Sequence, residues 1–600
     1  MTGVEPSTEA CEPEREAGVV LVWFALLLFA LVAITALCVD IGLWYVEAVH
    51  VQKAADSAAL AGAVHLPSNP TNATATAKDT AAKNTYTDGD VNGSVSVVAT
   101  QVATQPNQLE VKVTKTFQGI FGAVFGMPNL RITRSATAQY ETAVDMGSPA
   151  SIFANEPLTS PNDGATWSNV SGFAANMWGN VFGYNTSKQS GDARHAHLCN
   201  AGNDLCNAGI NAEYTDAGYF YRISVDLAQR PSGAKLAIEV FDPGAVDVGD
   251  HCDANNLGNP SVATSVNPWT TKNGSVASDA ASRYDWGDTS NRGSPAPAGA
   301  GKFCSGDNHD AGTAPPLTTY LVRADTTPFD PNAAPIVNQG TCAGLQIPGF
   351  EPDFSTGVLN AANPNYDAQL ASVFRQWVPV CMFDPSAAPA GDYLLQIRTN
   401  VALGGSAGGP GGAPSTGGSN RFAIRAAWVT GGQSYVVGTY KTPPTLTGTG
   451  GISIAGVGYM SLFANAAAGA APPNFYMARV LPGGSQTLRV RLFDIGDCSG
   501  SCGSPTLTFK KPDGSDWDSC KVRIGDSNAF NTFTPCSFPD TANGLWTTVD
   551  IVIPSTYSCS IGTSTDCWTR MTYALAGSGA LLDTTTWSAQ ILGNPVRLVK

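Results

Sequence analysis

From Ala17 to Val39 the chain reads AGVVLVWFALLLFALVAITALCV, 23 residues without a charge. A helix needs about 20 apolar residues to cross the hydrocarbon core of a bilayer, so this run is long enough to span. It exceeds the roughly 7–15 apolar residues of a cleaved signal peptide. The sequence therefore predicts a retained transmembrane anchor over 17–39, with a short acidic tail (1–16) on one side and the bulk of the chain on the other. A core helix this apolar at a chain end would need a second helix of its kind to pack on, and the sequence offers none.

Pro13 and Pro67 bracket a proline-free stretch, the punctuation of one long helix. Residues 40–66 read as its juxtamembrane extension, with Gly42 the expected site of a bend. Trp44, Ala48, Val51, Ala55, Ala58 and Gly62 recur at spacings of four and three and fall on one stripe. Glu47, His50, Lys53 and Asp56 fall on a polar side. Trp44 and Tyr45 stand where an aromatic belt would meet the headgroups. The stripe is apolar but mostly small, which lets another helix come close. It is the candidate partner-docking surface; packing on the protein's own membrane-proximal domain is the alternative.

The order of span, Val39–Gly42 (VDIG) and Leu43–Ala63 (LWYVEAVHVQKAADSAALAGA) resembles the N-terminal segment of Tad (Flp) pilus-assembly proteins of the TadE/TadG-like group. In that family an apolar anchor leads into D-x-G, an aromatic residue and a Q-x-A-A-D-x-A-A-L-A-G-A-like helix. Here the last part stands as Gln52, Ala54, Ala55, Asp56, Ala58, Ala59, Leu60, Ala61, Gly62 and Ala63. The remaining chain resembles, more loosely, the long two-module ectodomains of actinobacterial members, most of all in CWTRMTY (Cys567–Tyr573) and the closing DTTTWSAQILGNPVRLVK. The resemblance implies a single-pass cell-membrane protein of a pilus locus, N-terminus cytoplasmic and bulk extracellular, with other pilus-assembly or envelope proteins as partners. Pilins of this class carry a glycine before the apolar run and a glutamate five residues later. The fifth residue after Gly18 is Trp23, so pilin-type cleavage is not expected, and an accessory or structural protein is implied rather than a fibre subunit.

Composition agrees with export. Charged residues make up 14% of the chain and the net charge is −15, without the basic cluster that neutralising phosphates requires, so no nucleic-acid partner is expected. Cys11 and Cys38 lie before or within the anchor. The other twelve cysteines follow as Cys199/Cys206, Cys252/Cys304, Cys342/Cys381, Cys498/Cys502, Cys520/Cys536 and Cys559/Cys567. An even number in an exported chain reads as disulfides. Nearest-neighbour pairing is the default, and connectivity stays open. Disulfides persist outside the reducing cytosol, which puts the large part outside.

The fold class expected is mixed: the anchor helix, a small α+β membrane-proximal domain over 67–145, then two tandem all-β sandwich domains with disulfides. Thr71–Tyr86 reads as a second helix. Asn92–Val102, Asn107–Phe117 and Leu130–Tyr140 alternate like strands, with FQGIFGAVFG (117–126) between as a short apolar helix or turn. Period-two segments recur from about residue 146, among them Tyr219–Leu227, Ala234–Asp242, Thr319–Asp325, Trp377–Phe383, Asp392–Val401 and Asn420–Trp428, with a long loop at 244–318. Ala217–Gly244 resembles Pro473–Asp497: an aromatic pair, strand, turn, strand, then Phe-Asp (Phe241–Asp242; Phe493–Asp494). A Trp-led strand follows in each half, at Trp377 and Trp546. Duplication of one sandwich explains this, giving a first domain at 146–430, a linker at 431–450 and a second domain at 451–600. The run at Gly404–Gly418 becomes a surface loop.

Chemistry is sparse. No hydrolase elbow, HExxH or phosphate-cradling loop surrounds any of the six histidines, so no catalytic residue and no cofactor is assigned. His195, His197, Cys199 and Cys206 have the right types for zinc, but an oxidising compartment favours a disulfide there. Asp242, Asp247, Asp250 and Asp253 could serve calcium, yet their spacing is not that of an EF-hand, and a solvated turn is the simpler reading. No metal is assigned. The function expected is a non-catalytic membrane-anchored accessory of a Tad pilus or cell-envelope machine. The alternative is an anchored adhesin or carbohydrate-binding surface protein with a glycan ligand.

Overall fold

The protein is described here in a computed structural model covering residues 17–66, 70–90, 92–102, 105–121, 129–140, 144–154, 176–184, 186–199, 209–242, 318–327, 330–338, 342, 344–347, 377–386, 391–399, 418–436, 439–466, 474–482, 486–499, 502–526, 528–559, 567–577, 580–592 and 596–599. The acidic tail, most of the apolar turn at 117–126, the loop at 244–317, the Gly-rich run at 404–417, Cys206, Cys252, Cys304, Asp247, Asp250 and Asp253 lie outside the described residues. The chain divides into two compact units, one of residues 1–140 with 595–600, the other of residues 141–594.

In the first unit, α1 (Ala17–Ala63) runs unbroken through Gly42 for 47 residues, about 70 Å at 1.5 Å per residue. Its N-terminal half is long and apolar enough to cross a membrane. Its C-terminal half packs on α2 (Pro70–Lys83) and on a sheet of order β1-β2-β3-β29, formed by β1 (Val95–Val102), β2 (Gln105–Gln118), β3 (Asn129–Tyr140) and β29 (Val596–Leu598). The chain's last strand thus pairs antiparallel with β3. Alternation sets the core face of the sheet: Val95 and Val97 on β1, Leu109, Val111 and Val113 on β2, and Ile132 and Ala136 on β3 are buried against the helices.

Among its described residues the second unit is built of antiparallel strands joined by turns and short 3-10 segments. One sheet follows the order β13-β10-β15-β6-β18-β28-β20-β26-β23-β24: β13 (Trp377–Phe383), β10 (Lys235–Phe241), β15 (Ser419–Val436), β6 (Asn176–Phe182), β18 (Tyr459–Ala466), β28 (Ala580–Ile591), β20 (Gln486–Phe493), β26 (Trp546–Ile553), β23 (Cys520–Ile524) and β24 (Asn531–Phe533). Onto β15 pair β16 (Thr439–Gly448) and β5 (Ile152–Phe153), and onto β28 pairs β21 (Cys498–Ser499). Opposite it lie β12-β11-β14-β9-β17-β4 and β19-β27-β22-β25. The first comprises β12 (Leu345–Ile347), β11 (Thr318–Ala324), β14 (Tyr393–Thr399), β9 (Tyr219–Val225), β17 (Ile452–Val457) and β4 (Asp145–Met146). The second comprises β19 (Asn474–Arg479), β27 (Trp568–Gly577), β22 (Cys502–Lys510) and β25 (Ser537–Pro539). A separate pair joins β7 (Leu198–Cys199) to β8 (Gly209–Ile210).

The sequence repeat is visible in this topology. Each copy sends its first strand (β9; β19) into one layer and its second (β10; β20) into the other, so the two strands of a copy do not pair with each other. In both copies the terminal Phe stands opposite the later Trp: Phe241 against Trp377 and Phe493 against Trp546, with ring centroids 5.6 and 5.2 Å apart. The order β13-β10-β15-β6 is mirrored by β26-β20-β28-β18, and β6 pairs antiparallel with β18 at the centre. In the opposite layer β11-β14-β9 matches β22-β27-β19. The strands that precede the copies are exchanged: β17 pairs with β9, whereas Gly147, just past β4, bridges to Tyr476 on β19. One buried cluster contains residues of both copies, so the two sandwiches share a core rather than standing apart.

Residues 431–450 do not form an open linker. They complete β15 and make β16, a hairpin in register from Trp428–Gly448 to Val436–Thr439. Pro443 and Pro444 fall in β16, which among the described residues pairs with β15 alone and is therefore an edge strand, the position in a sheet where proline is admitted.

The first unit yields a direct expectation. Ala55 is fully buried between helix and sheet. An isolated charge there costs several kcal/mol, comparable with the roughly 5–15 kcal/mol of a whole domain. Ala55→Glu should therefore abolish the cooperative unfolding transition of this unit, whereas Ala55→Gly should cost only about 1 kcal/mol. Thermal melts of the two variants followed by circular dichroism check it, and a native-like melt for Ala55→Glu contradicts the packing.

Candidate functional site

The residues that carry the helical motif all lie on α1, and the structure gives each a physical task. Ala54, Ala55, Ala58 and Ala59 have zero exposure; their methyl groups let the helix lie close to α2 and the sheet, a geometry larger side chains would prevent. Gly62 is needed for the same reason: a Cβ there would sit 2.7 Å from the Ala73 carbonyl oxygen and collide with Leu109. Gln52 donates to Asp56 Oδ1 at 2.7 Å and to the Ser135 carbonyl at 3.3 Å, tying the helix to β3. The Tyr86 hydroxyl donates to Glu47 at 3.1 Å, and burial, with the Glu47 charge beside it, pushes its pKa upward.

Ala48, Val51, Ala55 and Ala58 are thus buried in this unit's own core. Trp44, the remaining large side chain of the expected docking stripe, is 43% exposed. The small-residue stripe is occupied by the protein's own α2 and sheet.

Asp40 was not singled out by periodicity. It ends the uncharged span, it is buried, and its two carboxylate oxygens accept the backbone N–H groups of Ile120 and Phe121, both at 3.0 Å. The signal was present in the sequence: a lone charge at the margin of an apolar span needs a named partner.

In the second unit Cys342–Cys381, Cys520–Cys536 and Cys559–Cys567 are disulfide-bonded, and Cys199 is also in a disulfide. The side chains of Cys498 and Cys502 lie outside the description. His195 and His197 do not converge. The first stands 3.6 Å from Asp192 Oδ1 and edge-on to Tyr219; the second stacks on Tyr184 and meets its hydroxyl at 2.9 Å. Burial lowers the His197 pKa. Asp242 is fully buried. Among the described residues no group of three or more His, Cys, Asp or Glu is arranged to hold a metal. A half-open cavity of about 320 Å³ beside β23–β25, lined by Val522, Ile524, Phe533 and Phe538 among others, has no titratable side chain on its wall.

Buried charge in this unit holds strands together. Arg222 on β9 reaches Asp145 at 2.6 Å and Asp325 at 3.2 Å, linking the exchanged β4 to the layer. Arg425 meets Glu239 at 2.6 Å while its guanidinium stacks on Trp377. Asp392 is pushed up to about 6 by burial, with Asp325 adding to the effect against the pull of Arg222. Asp540 is pushed up to about 6 by burial, against a 2.7 Å hydrogen bond from the Ala542 amide.

Residues 18–65 match the Tad family model, described as putative Flp pilus-assembly TadE/G-like. No curated protein and no solved structure matches the chain. The N-terminal segment is thus similar to the TadE/G-like Flp pilus-assembly family, and the likeness supports a pilus-related role.

A carboxyl whose folded pKa is raised contributes stability that is complete below its ordinary value and lost as pH rises through the folded one. For Asp540 that window runs from 3.8 to about 6, and the loss at neutral pH is on the order of 2–3 kcal/mol. Asp540→Asn keeps an acceptor for Ala542 and removes the titration. The melting temperature of the full-length protein in detergent should fall less between pH 4 and 7 in this variant than in the wild type; an equal or steeper fall contradicts the assignment.

Proposed function

We propose that the chain is a membrane-anchored, non-catalytic accessory or structural protein of a Tad (Flp) type pilus-assembly or cell-envelope machine, with its N-terminus in the cytoplasm and the bulk of the chain outside. The observation that carries the reading is the family segment itself: of residues 18–65, all up to Ala63 lie in one continuous helix that is apolar at one end and the core element of a folded unit at the other. A helix built this way transmits position from the bilayer to the unit above it. The disulfides support the outward orientation, because they persist in oxidising compartments. The charge networks support a scaffold, since Arg222–Asp145 and Arg425–Glu239 each join residues on different strands.

Two results test this. N-terminal sequencing of the membrane-bound protein should give a start upstream of Ala17; a start at Val19 would mean pilin-type processing and a fibre subunit. Deleting the gene should abolish piliation, and the tagged full-length protein should co-purify with pilus-assembly membrane proteins. Wild-type piliation in the deletion strain contradicts the role.

A further inference from the structure

We infer that Asp583 holds a proton in the folded chain and makes the second copy of the repeat a pH-sensitive element, firmest in acid. The residue lies on β28 and is 1% exposed. Its Oδ2 accepts two hydrogen bonds, from the Gly496 N–H at 2.9 Å and the Tyr573 hydroxyl at 3.1 Å. Its Oδ1 is buried and has no hydrogen-bond partner among the described residues, so a proton on that oxygen displaces nothing. The charges that bear most on the site are acidic. Asp497 and Asp494 stand in the turn after β20, and Asp540, in the turn after β25, acts on the same Tyr573 hydroxyl. β18 and β21 bring no charge: Ala464 stands opposite Asp583, and β21 is Cys498–Ser499. The segment carrying Lys188, Asp192 and Arg194 packs at Thr584 and Thr586, on the strand's other face. Ionised, Asp583 would be a buried anion near two other carboxylates; protonated, it is neutral and avoids that cost.

The repeat bears on this position independently. Phe493 stands opposite Thr586 on β28, and its counterpart Phe241 stands opposite Ala423 on β15. Three residues before each partner, Asn420 occupies in the first copy the place of Asp583 in the second. Asn420 is likewise buried, with Val181 of β6 opposite it. It too meets a tyrosine hydroxyl, its Nδ2 reaching that of Tyr320 at 3.3 Å. In sequence the turns align as FDPGA (Phe241–Ala245) and FDIGD (Phe493–Asp497). Asp583 and Asp497 therefore have no acidic counterpart in the first copy, and the position works there with a neutral amide of the same shape. Burial, with the charges of Asp497 and Asp494, pushes the Asp583 pKa well above its ordinary value. A raised carboxyl contributes stability that is complete below its ordinary value and is lost as pH rises toward the folded one.

The test uses the full-length protein in detergent carrying Asp540→Asn, so that Asp540 adds nothing to the pH dependence. Asp583→Asn and Asp583→Ser are each added to this background, and thermal melts are recorded from pH 4 to pH 7. Neither side chain ionises. Relative to the background, the melting temperature of Asp583→Asn should rise with pH, gaining a few degrees by pH 7. Asp583→Ser, whatever its stability at pH 4, should show the same relative gain, and it decides the matter if Asp583→Asn does not fold. A melting temperature that stays a constant distance from the background's at every pH overturns the inference, because Asp583 then ionises as an ordinary carboxyl. Failure of both variants to fold overturns it too, since a neutral side chain is what the inference places there.

Discussion

The first unit depends on how closely α1 approaches its own sheet. Four alanines with no exposure and a glycine with no room for a Cβ bring the helix axis down onto α2, β2 and β3. Each alanine buries little area, so the gain per residue is small; what the small side chains provide is contact along the whole length. The same helix is the apolar span. The folded unit and the apolar run are thus carried by one element with no break between them, since the helix passes through Gly42 without interruption.

That geometry explains why the motif is written as it is. Gln52 and Asp56 clamp the helix to β3, Glu47 holds Tyr86, and the alanines fill the seam. The segment that reads as a candidate docking stripe is, in this chain, packed into the core of the first unit. The stripe's periodicity was legible in the sequence, but its partner was not. The strands that cover it come from distant parts of the chain, β29 from its far end, and alternate on a different period, so nothing local says that the two faces meet. Asp40 shows the same limit: its isolation was visible, whereas its partners at Ile120 and Phe121 arise only from tertiary structure.

The second unit was legible strand by strand and less so as an assembly. Tyr219–Val225, Lys235–Phe241, Trp377–Phe383 and Tyr393–Thr399 fall where alternation puts them. The Phe-Asp and Trp landmarks of the repeat occupy matching registers in both copies. The fusion through β6 and β18 and the exchange of β4 and β17 involve pairings between segments nearly 300 residues apart, and no short-range pattern encodes them. The stretch at 431–450 looked like a linker because Gly and Pro interrupt it. It forms an edge hairpin instead, the kind of strand in which proline is admitted.

Hydrogen–deuterium exchange of the full-length protein in nanodiscs tests the central claim, that the apolar run and the core element of the first unit are one helix. Amides from Asp40 to Ala63 should exchange as slowly as those of β2 and β3, with no fast-exchanging break at Ile41–Val46. Rapid exchange at that junction, or exchange of Ala48–Ala63 far ahead of the sheet, would mean that the span and the core are separate elements joined by a hinge.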